Sequence, residues 1–314
     1  NLNYNLLGLI LEAVSGEKYA DYVQNHIFDP LEMRHSYTSR EAAKANGLAV
    51  GHRYWFSLPV AAPELPIPQA SIASGQLFSC SEDMAHFLIA QLNGGRYGKS
   101  QILSEAGIQE LQRGAVEYIA MGISSGRYAM GWFDMQAGQT RVLSHGGNVP
   151  DYSACMCLLP EQKKGALLLL NADHYGLPPV MAEIGAGIAA LLAGQQPEPF
   201  RLGFLPWVMR ALPLIPILQI AGVTATLRRL DRWHREPALR PGRGRLWAEH
   251  LLLPLVPNLS FAGLLAFLSS RGILGYLKFY NPDLAWILRI GGSFAGIWAV
   301  VRSVLTLRTV HRKA

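Results

Sequence analysis

The chain has 314 residues, enough to bury a sizeable core, and half of them are hydrophobic while 16% are charged. Its net charge of +6 is unevenly placed: residues before Arg201 carry 12 Lys/Arg against 18 Asp/Glu, net −6, and the remainder carries 16 against 4, net +12. The cations of that basic tail are nearly all Arg and lie between long apolar runs, the pattern of a membrane protein's cytoplasmic side, which argues against nucleic acid as a partner.

Asn1 stands where an initiator Met is absent and directly opens a helical pattern, so the chain reads as a piece of a longer protein. Apolar residues recur at Leu6, Leu7, Ile10, Leu11 and Val14, then at Tyr19, Tyr22, Val23 and Ile27, predicting two packed amphipathic helices separated at Ser15-Gly16. Pro30 ends the second, and Arg34–Ser74 shows no sustained period, as expected of a long ordered excursion. Ser79 and Glu82 offer a capping box to a helix through Met84, Leu88 and Leu92 that stops at Asn93-Gly94-Gly95.

After Gly126 the period changes to two at Tyr128, Met130 and Trp132. Strand-like runs follow at Thr140–Ser144, Tyr152–Leu159 and Ala166–Leu170, spaced for an antiparallel meander. Cys155 and Cys157 would share one strand face as small core residues. With Cys80 they make neither a disulfide framework nor a metal or redox spacing. Pro178–Gly194 is helical and too short to span a bilayer, so helices, sheet and helix give an α+β domain over 1–193.

Residues 194–202 read as a linker, and 203–314 as a membrane domain with spans near 203–227, 251–270 and 284–307, the last interrupted by Arg289 and Arg302. Seven arginines between Arg228 and Arg245 face only Asp231 and Glu236, which makes loop 228–245 cytoplasmic; the tail Arg308, Arg312, Lys313 agrees. The domain before the linker then lies outside the cytoplasm, in a multi-pass protein of the cell membrane whose partner is the lipid bilayer. Trp207, Trp247, Tyr276, Tyr280 and Trp286 fall near span ends, and Gly292-x-x-x-Gly296 suits close helix approach.

Leu143-Ser144-His145-Gly146-Gly147-Asn148 carries the sharpest chemical signal. Paired glycines at a strand edge let a ligand approach the backbone, and the His beside them can donate to an anion or carbonyl, although Gly-Gly after a strand is more often a hairpin turn. Ser15-Gly16-Glu17-Lys18 has nucleophile spacing but sits in an interhelix turn. Asp173-His174 has no G-x-S-x-G elbow to complete a triad, and the other histidines lack paired metal spacing.

Several stretches together resemble the serine β-lactamase-like family, which includes class C β-lactamases, DD-peptidases and related esterases. Asn1-Leu2-Asn3-Tyr4-Asn5-Leu6-Leu7-Gly8-Leu9-Ile10, Tyr19-Ala20-Asp21-Tyr22-Val23 and Ile27-Phe28-Asp29-Pro30-Leu31-Glu32-Met33 are similar to the segment that follows the family's second motif, Tyr-x-Asn, with Asn1 matching its Asn. Ser79-Cys80-Ser81-Glu82-Asp83-Met84-Ala85, Asn93-Gly94-Gly95 and Tyr128-Ala129-Met130-Gly131-Trp132-Phe133 also look typical. His145-Gly146-Gly147 stands where the family has Lys-Thr-Gly or His-x-Gly.

The resemblance, which runs from Asn1 to about Leu192 and leaves the membrane tail outside it, implies a partial fold of this type, a helical subdomain plus antiparallel sheet; the transmembrane helices that follow are read from hydropathy alone. It implies catalytic roles for Asn1, His145 and Asn148, the last through a backbone N–H of the oxyanion hole, and substrate contact by Ser144, Gly146 and Gly147. The nucleophilic Ser and its Lys would lie upstream, leaving this piece inert by itself. The implied activity is acyl transfer from a small-molecule or peptide substrate (peptide, lactam or ester) with no cofactor and no metal. A second reading is a catalytically silent, membrane-tethered module that binds wall peptide or β-lactam.

Overall fold

The computed structural model describes residues 1–64, 69–120, 123–173, 177–199 and 203–311. The expected linker residues 200–202, His174 and the tail residues Arg312 and Lys313 lie outside the described residues. Two compact units result: Asn1–Arg53 with Ala61–Leu202, and Tyr54–Val60 with Gly203–Ala314.

The first unit opens with α1 (Leu2–Ser15), closed by Gly16 at φ 74°, a left-handed position that favours glycine. It continues with α2 (Tyr19–Val23) and a wide π turn at Gln24–Phe28. Val23, Phe28, Leu31 and Met33 form a core with Ala90, as the second amphipathic run predicts. The first run behaves differently: α1 packs through Gly8, against Ala73 and Tyr19, while Leu2, Leu6, Leu7, Leu9, Ile10 and Val14 are exposed, Leu2 and Val14 by more than 80%. The periodicity identifies the helix, but most of its apolar stripe is left exposed among the described residues.

The excursion after Arg34 contains α3 (Arg40–Ala45), capped by Ser39 accepting from the Ala42 N–H, then β1 (His52–Trp55), β2 (Leu58–Ala61) and a 3-10 turn at Gln69–Ser74. The expected capping box does not form. α4 (Ser81–Leu92) starts at N-cap Cys80 with no side-chain cap, because Ser79 Oγ lies 2.7 Å from Ser36 Oγ. Asp83, almost fully buried, accepts from the His35 N–H (2.7 Å) and Ser36 Oγ (2.8 Å), so tertiary bonds replace the local cap. β3 (Arg96–Tyr97) and β4 (Ser100–Gln101) make a small hairpin before α5 (Glu105–Gln112).

The main sheet is an antiparallel meander of six strands: β5 (Val116–Ala120), β6 (Ile123–Tyr128), β7 (Phe133–Ala137), β8 (Thr140–Val149), β9 (Tyr152–Leu159) and β10 (Lys164–Leu170). The short β11 (Ala172–Asp173) pairs in parallel with β1. The alternation expected through Met130 and Trp132 is instead a turn, with Gly131 at φ 87°, and the strands there begin earlier. β8 also runs past Ser144 through both glycines rather than turning at them.

Leu143 and Leu158 pack toward Leu88 of α4 on one face. Val142, Cys157 and Leu159 pack on the other toward Ala189 of α6 (Leu177–Leu192), where Gly185 lies close to Cys155 Sγ. The two cysteines are therefore small residues on the α6 face. Burial pushes the Cys157 thiol up to about 11, so it is no nucleophile.

Among the described residues, the second unit holds three helical stretches long and apolar enough to cross a membrane, Pro206–Arg235, Arg243–Ser270 and Pro282–Thr309. The first is α7 (Leu205–Ala211) and α8 (Leu214–Arg235). The second joins α9 (Arg243–Arg245), a π turn at Leu246–Leu252 and α10 (Leu253–Ser270); α11 (Ile273–Tyr280) precedes α12 (Pro282–His311). α8 continues through Arg228, Arg229, Arg232 and Arg235, so half of the expected basic loop is helix. The hairpin turn Tyr54–Val60 belongs to this unit. Phe56 and Ser57 take φ of 50° and 68°, and the Phe56 N–H donates to Asp283 Oδ2 at 2.8 Å.

α12 meets α10 on glycines: a Cβ at Gly292 would stand 2.8 Å from Leu265 Cβ, and at Gly296 3.3 Å from Ala262 Cβ. Gly292→Leu is expected to cost about 1–3 kcal/mol in a detergent-titration unfolding experiment. Gly263→Leu, where the added carbon meets nothing within 4 Å, serves as the control and should stay near wild type.

Candidate active site

The site is built on the last five residues of β8. Both hairpins that flank β8 have two-residue loops, Gly138-Gln139 and Pro150-Asp151, with closing pairs Ala137↔Thr140 and Val149↔Tyr152. Closing pairs of such hairpins exchange main-chain hydrogen bonds, and the pattern then alternates. Counting from either end gives one answer: Thr140, Val142, Ser144, Gly146 and Asn148 point their N–H and C=O groups toward β7, and the odd-numbered residues point theirs toward β9.

β7 begins at Phe133, paired with Ser144. Beyond that pair β7 offers no partner to the main-chain groups of Gly146 and Asn148, and Gly146, Gly147 and Asn148 are all exposed. The result is a short open sheet edge of the kind that accepts an extended ligand as an added strand. Ser144 lies inside the ladder, its main chain committed to Phe133.

His145 flanks this edge half-buried, its ring stacked on Phe133 at 5.7 Å between centroids. Phe133 meets Tyr128 edge-on at 5.0 Å, and the Tyr128 hydroxyl lies 2.9 Å from the Tyr4 hydroxyl. Aromatic contact thus links the third-motif strand to α1. Asn1, the N-cap of α1 one turn before Tyr4, stands exposed at that same helix end and caps nothing with its side chain. Burial, with the Tyr4 bond second, holds the Tyr128 hydroxyl well above the ordinary tyrosine range, so it stays protonated.

Desolvation lowers the His145 pKa, partly offset by a hydrogen bond to the Gly146 backbone, so the ring is neutral at pH 7 and acts as a donor–acceptor rather than a fixed cation. Above about pH 6.5 the ring is neutral in both folded and unfolded chains and contributes no pH dependence. As the pH falls below that value the unfolded chain takes up the proton first, so stability declines until the folded pKa is reached. Urea titrations at pH 7.5 and 5 should show a larger acid loss for wild type than for His145→Gln; equal losses would contradict a buried neutral ring.

The Asn148 side chain turns away from the edge. Its Nδ2 donates to Asp173 Oδ1 (2.8 Å) and Ser153 Oγ (3.2 Å), and Ser153 Oγ bonds Asp173 and the Ala172 carbonyl. Arg53 donates two bonds of 2.8 Å to Asp151, which takes φ 76° in the β8–β9 turn after Pro150. Arg53, Asp151, Ser153 and Asp173 are all buried, so the tip of β8 rests on a buried, hydrogen-bonded polar floor. Sequence reasoning chose Asn148 for its main chain and missed this floor. Arg53, a lone cation among aromatics and far along the chain from Asp151, left no local signal of its partner.

Residues 1–190 match the family model described as Beta-lactamase, which covers more than half of the chain. The chain belongs to the Beta-lactamase family. Protein flp of Staphylococcus aureus (strain MW2) is 27% identical over 189 residues, 60% of this chain and 36% of that protein. The putative penicillin-binding protein PbpX of Bacillus subtilis (strain 168) is 33% identical over 97 residues, 31% of this chain and 25% of PbpX. The octameric penicillin-binding protein homologue from Pyrococcus abyssi superposes with a TM-score of 0.54 at 27% identity, over 67% of this chain and 45% of that one.

This chain therefore spans about a third of flp and less than half of the archaeal structure. Its first unit has the Beta-lactamase-like α+β fold with an antiparallel sheet, and three long apolar helices follow. The family is one of serine hydrolases.

Proposed function

We propose that this chain is part of a membrane-anchored serine hydrolase whose domain lies outside the cytoplasm and acts through an acyl-enzyme on a peptide, lactam or ester. The observation that carries the reading is the open edge of β8. Gly146 and Asn148 aim main-chain groups past the end of β7, beside neutral His145, so an acyl substrate can lie along the strand with its carbonyl oxygen on the Asn148 N–H. Asn1, at the end of α1 that Tyr4 ties to the same aromatic cluster, would hold the substrate amide or the catalytic Lys. The attacking Ser and its Lys belong to polypeptide upstream of Asn1, which would also cover the exposed apolar face of α1.

The Arg-rich helix ends at Arg228–Arg235 and Arg243–Arg245 support a cytoplasmic position for that turn of the membrane unit. The test uses the complete protein carrying its upstream segment, treated with a fluorescent penicillin and a fluorophosphonate beside the upstream Ser→Ala variant. Covalent label that vanishes in the variant is the expected result. No label in either protein would favour the silent binding module. Cysteines placed one at a time at Ala238 and Ser270 check orientation: only the second should react with an impermeant reagent in intact cells.

A further inference from the structure

The membrane unit contains a cavity of about 350 Å3 among α8, α10 and α12, at the lower end of the roughly 300–1,000 Å3 typical of ligand sites. Its wall is apolar, from Ile215, Leu218, Phe261, Phe294 and Trp298, and Arg302 closes one end. The carboxamides that reach it are committed elsewhere, Gln219 to the Gly291 carbonyl (2.8 Å) and Asn258 to the Pro254 carbonyl (2.6 Å). Arg302 Nε is shielded from solvent and has no acceptor among the described residues.

Arg302 lies within electrostatic reach of Arg229, and both act on His250, whose Nδ1 is 3.0 Å from Arg229. The acids nearby do not neutralise this group: Asp231 is bonded to Arg235, and Glu249 is exposed. The three basic residues sit at one level. From Leu284 to Arg302 and from Ala211 to Arg229 are 18 residues each, about 27 Å of helix, close to the roughly 30 Å hydrocarbon thickness, and His250 immediately precedes the apolar run of the second span. A partly buried guanidinium at the hydrocarbon boundary beside an apolar cavity has the chemistry of a phosphate-headed amphiphile site.

We propose that the membrane unit binds an anionic phospholipid, with its phosphate on Arg302 and Arg229 and one acyl chain in the cavity between α8, α10 and α12. This rests on the reading that the three helices span a bilayer. The ion pair to phosphate supplies selectivity, and the aromatic and aliphatic wall supplies the residence that a free anion lacks.

The test reconstitutes the whole chain in nanodiscs of equal phosphatidylcholine and phosphatidylglycerol, then reads retained lipid by native mass spectrometry after detergent extraction. Phosphatidylglycerol is expected to exceed phosphatidylcholine by about 25-fold, two basic groups each giving a factor of about five. Arg302→Gln and Arg229→Gln should each reduce that preference by about fivefold. Arg235→Gln, which removes a cation already bonded to Asp231, should leave it unchanged.

Gly222 lines the same cavity and a Cβ there meets nothing within 4 Å, so Gly222→Leu is expected to fold, shown by an unchanged unfolding midpoint, to keep both arginines and yet to lose the retained lipid. Equal retention of the two lipids, unchanged preference in Arg302→Gln, or displacement by millimolar inorganic phosphate would each overturn the proposal. Failure of the spanning reading is distinguishable, because alkaline carbonate would then strip the chain from membranes before any lipid is compared.

Discussion

Asp151→Asn is expected to destabilise the N-terminal unit by about 3–5 kcal/mol in chemical denaturation. The substitution keeps side-chain size and the tolerance for a left-handed backbone, which Asn shares with Asp, so it isolates the charge. What remains is Arg53, its side chain 9% exposed, with a guanidinium whose two 2.8 Å bonds to a carboxylate are replaced by at most one to a neutral amide oxygen, the other N–H facing an NH2 donor. Breaking a buried pair costs far more than the pair contributes relative to a neutral one. The double variant Arg53→Met with Asp151→Asn should therefore recover most of the loss, and a double variant no better than Asp151→Asn would show that the turn conformation, not the charge, is at stake.

If the complete protein acts as proposed, Gly147→Val is expected to lower its rate of acylation by about 100-fold or more with little change in folding stability. Side chains alternate along β8, and Leu143 packs toward α4, so a side chain at position 147 projects on the same face as His145. That face borders the edge where the substrate strand would lie. A Cβ at Gly147 meets nothing within 4 Å, so the sheet accommodates it while the ligand loses its close approach to the backbone. Gly146→Ala, directed to the opposite face with the Ala154 carbonyl 3.8 Å away, should retain most of the activity. Equal losses at the two positions would mean that strand flexibility rather than access controls the rate.

The sequence carried the α+β class, the meander and the three long apolar helices, because each rests on periodicity within one segment. The first half of β8, α6 and the close helix approach at Gly292 and Gly296 are elements of that kind, whereas the passage of β8 through its Gly-Gly was not. Local pattern failed where distant residues decided the outcome. Ser79 has the spacing of a capping residue but bonds Ser36, and Leu6 and Ile10 have the spacing of core residues but face outward. Arg53 and Asp151 are 98 residues apart, so no window contains both. The candidate site was legible as a motif at His145–Asn148. Its meaning as an open edge depends on where β7 begins, and this required the register of two hairpins. The link from Tyr4 through Tyr128 and Phe133 to His145 likewise joins segments more than 120 residues apart.

The most direct measurement is the intact mass of the complete protein, upstream segment included, after exposure to a β-lactam and to a fluorophosphonate, followed by peptide mapping of any adduct. The prediction is a single acyl or phosphonyl addition on a serine upstream of Asn1 that has a Lys three residues later, with formation slowed by Gly147→Val. An unmodified protein, or an adduct on Ser15, Ser144 or a cysteine of the present chain, would contradict the assignment of the β8 edge as the acyl-binding half of a serine hydrolase site.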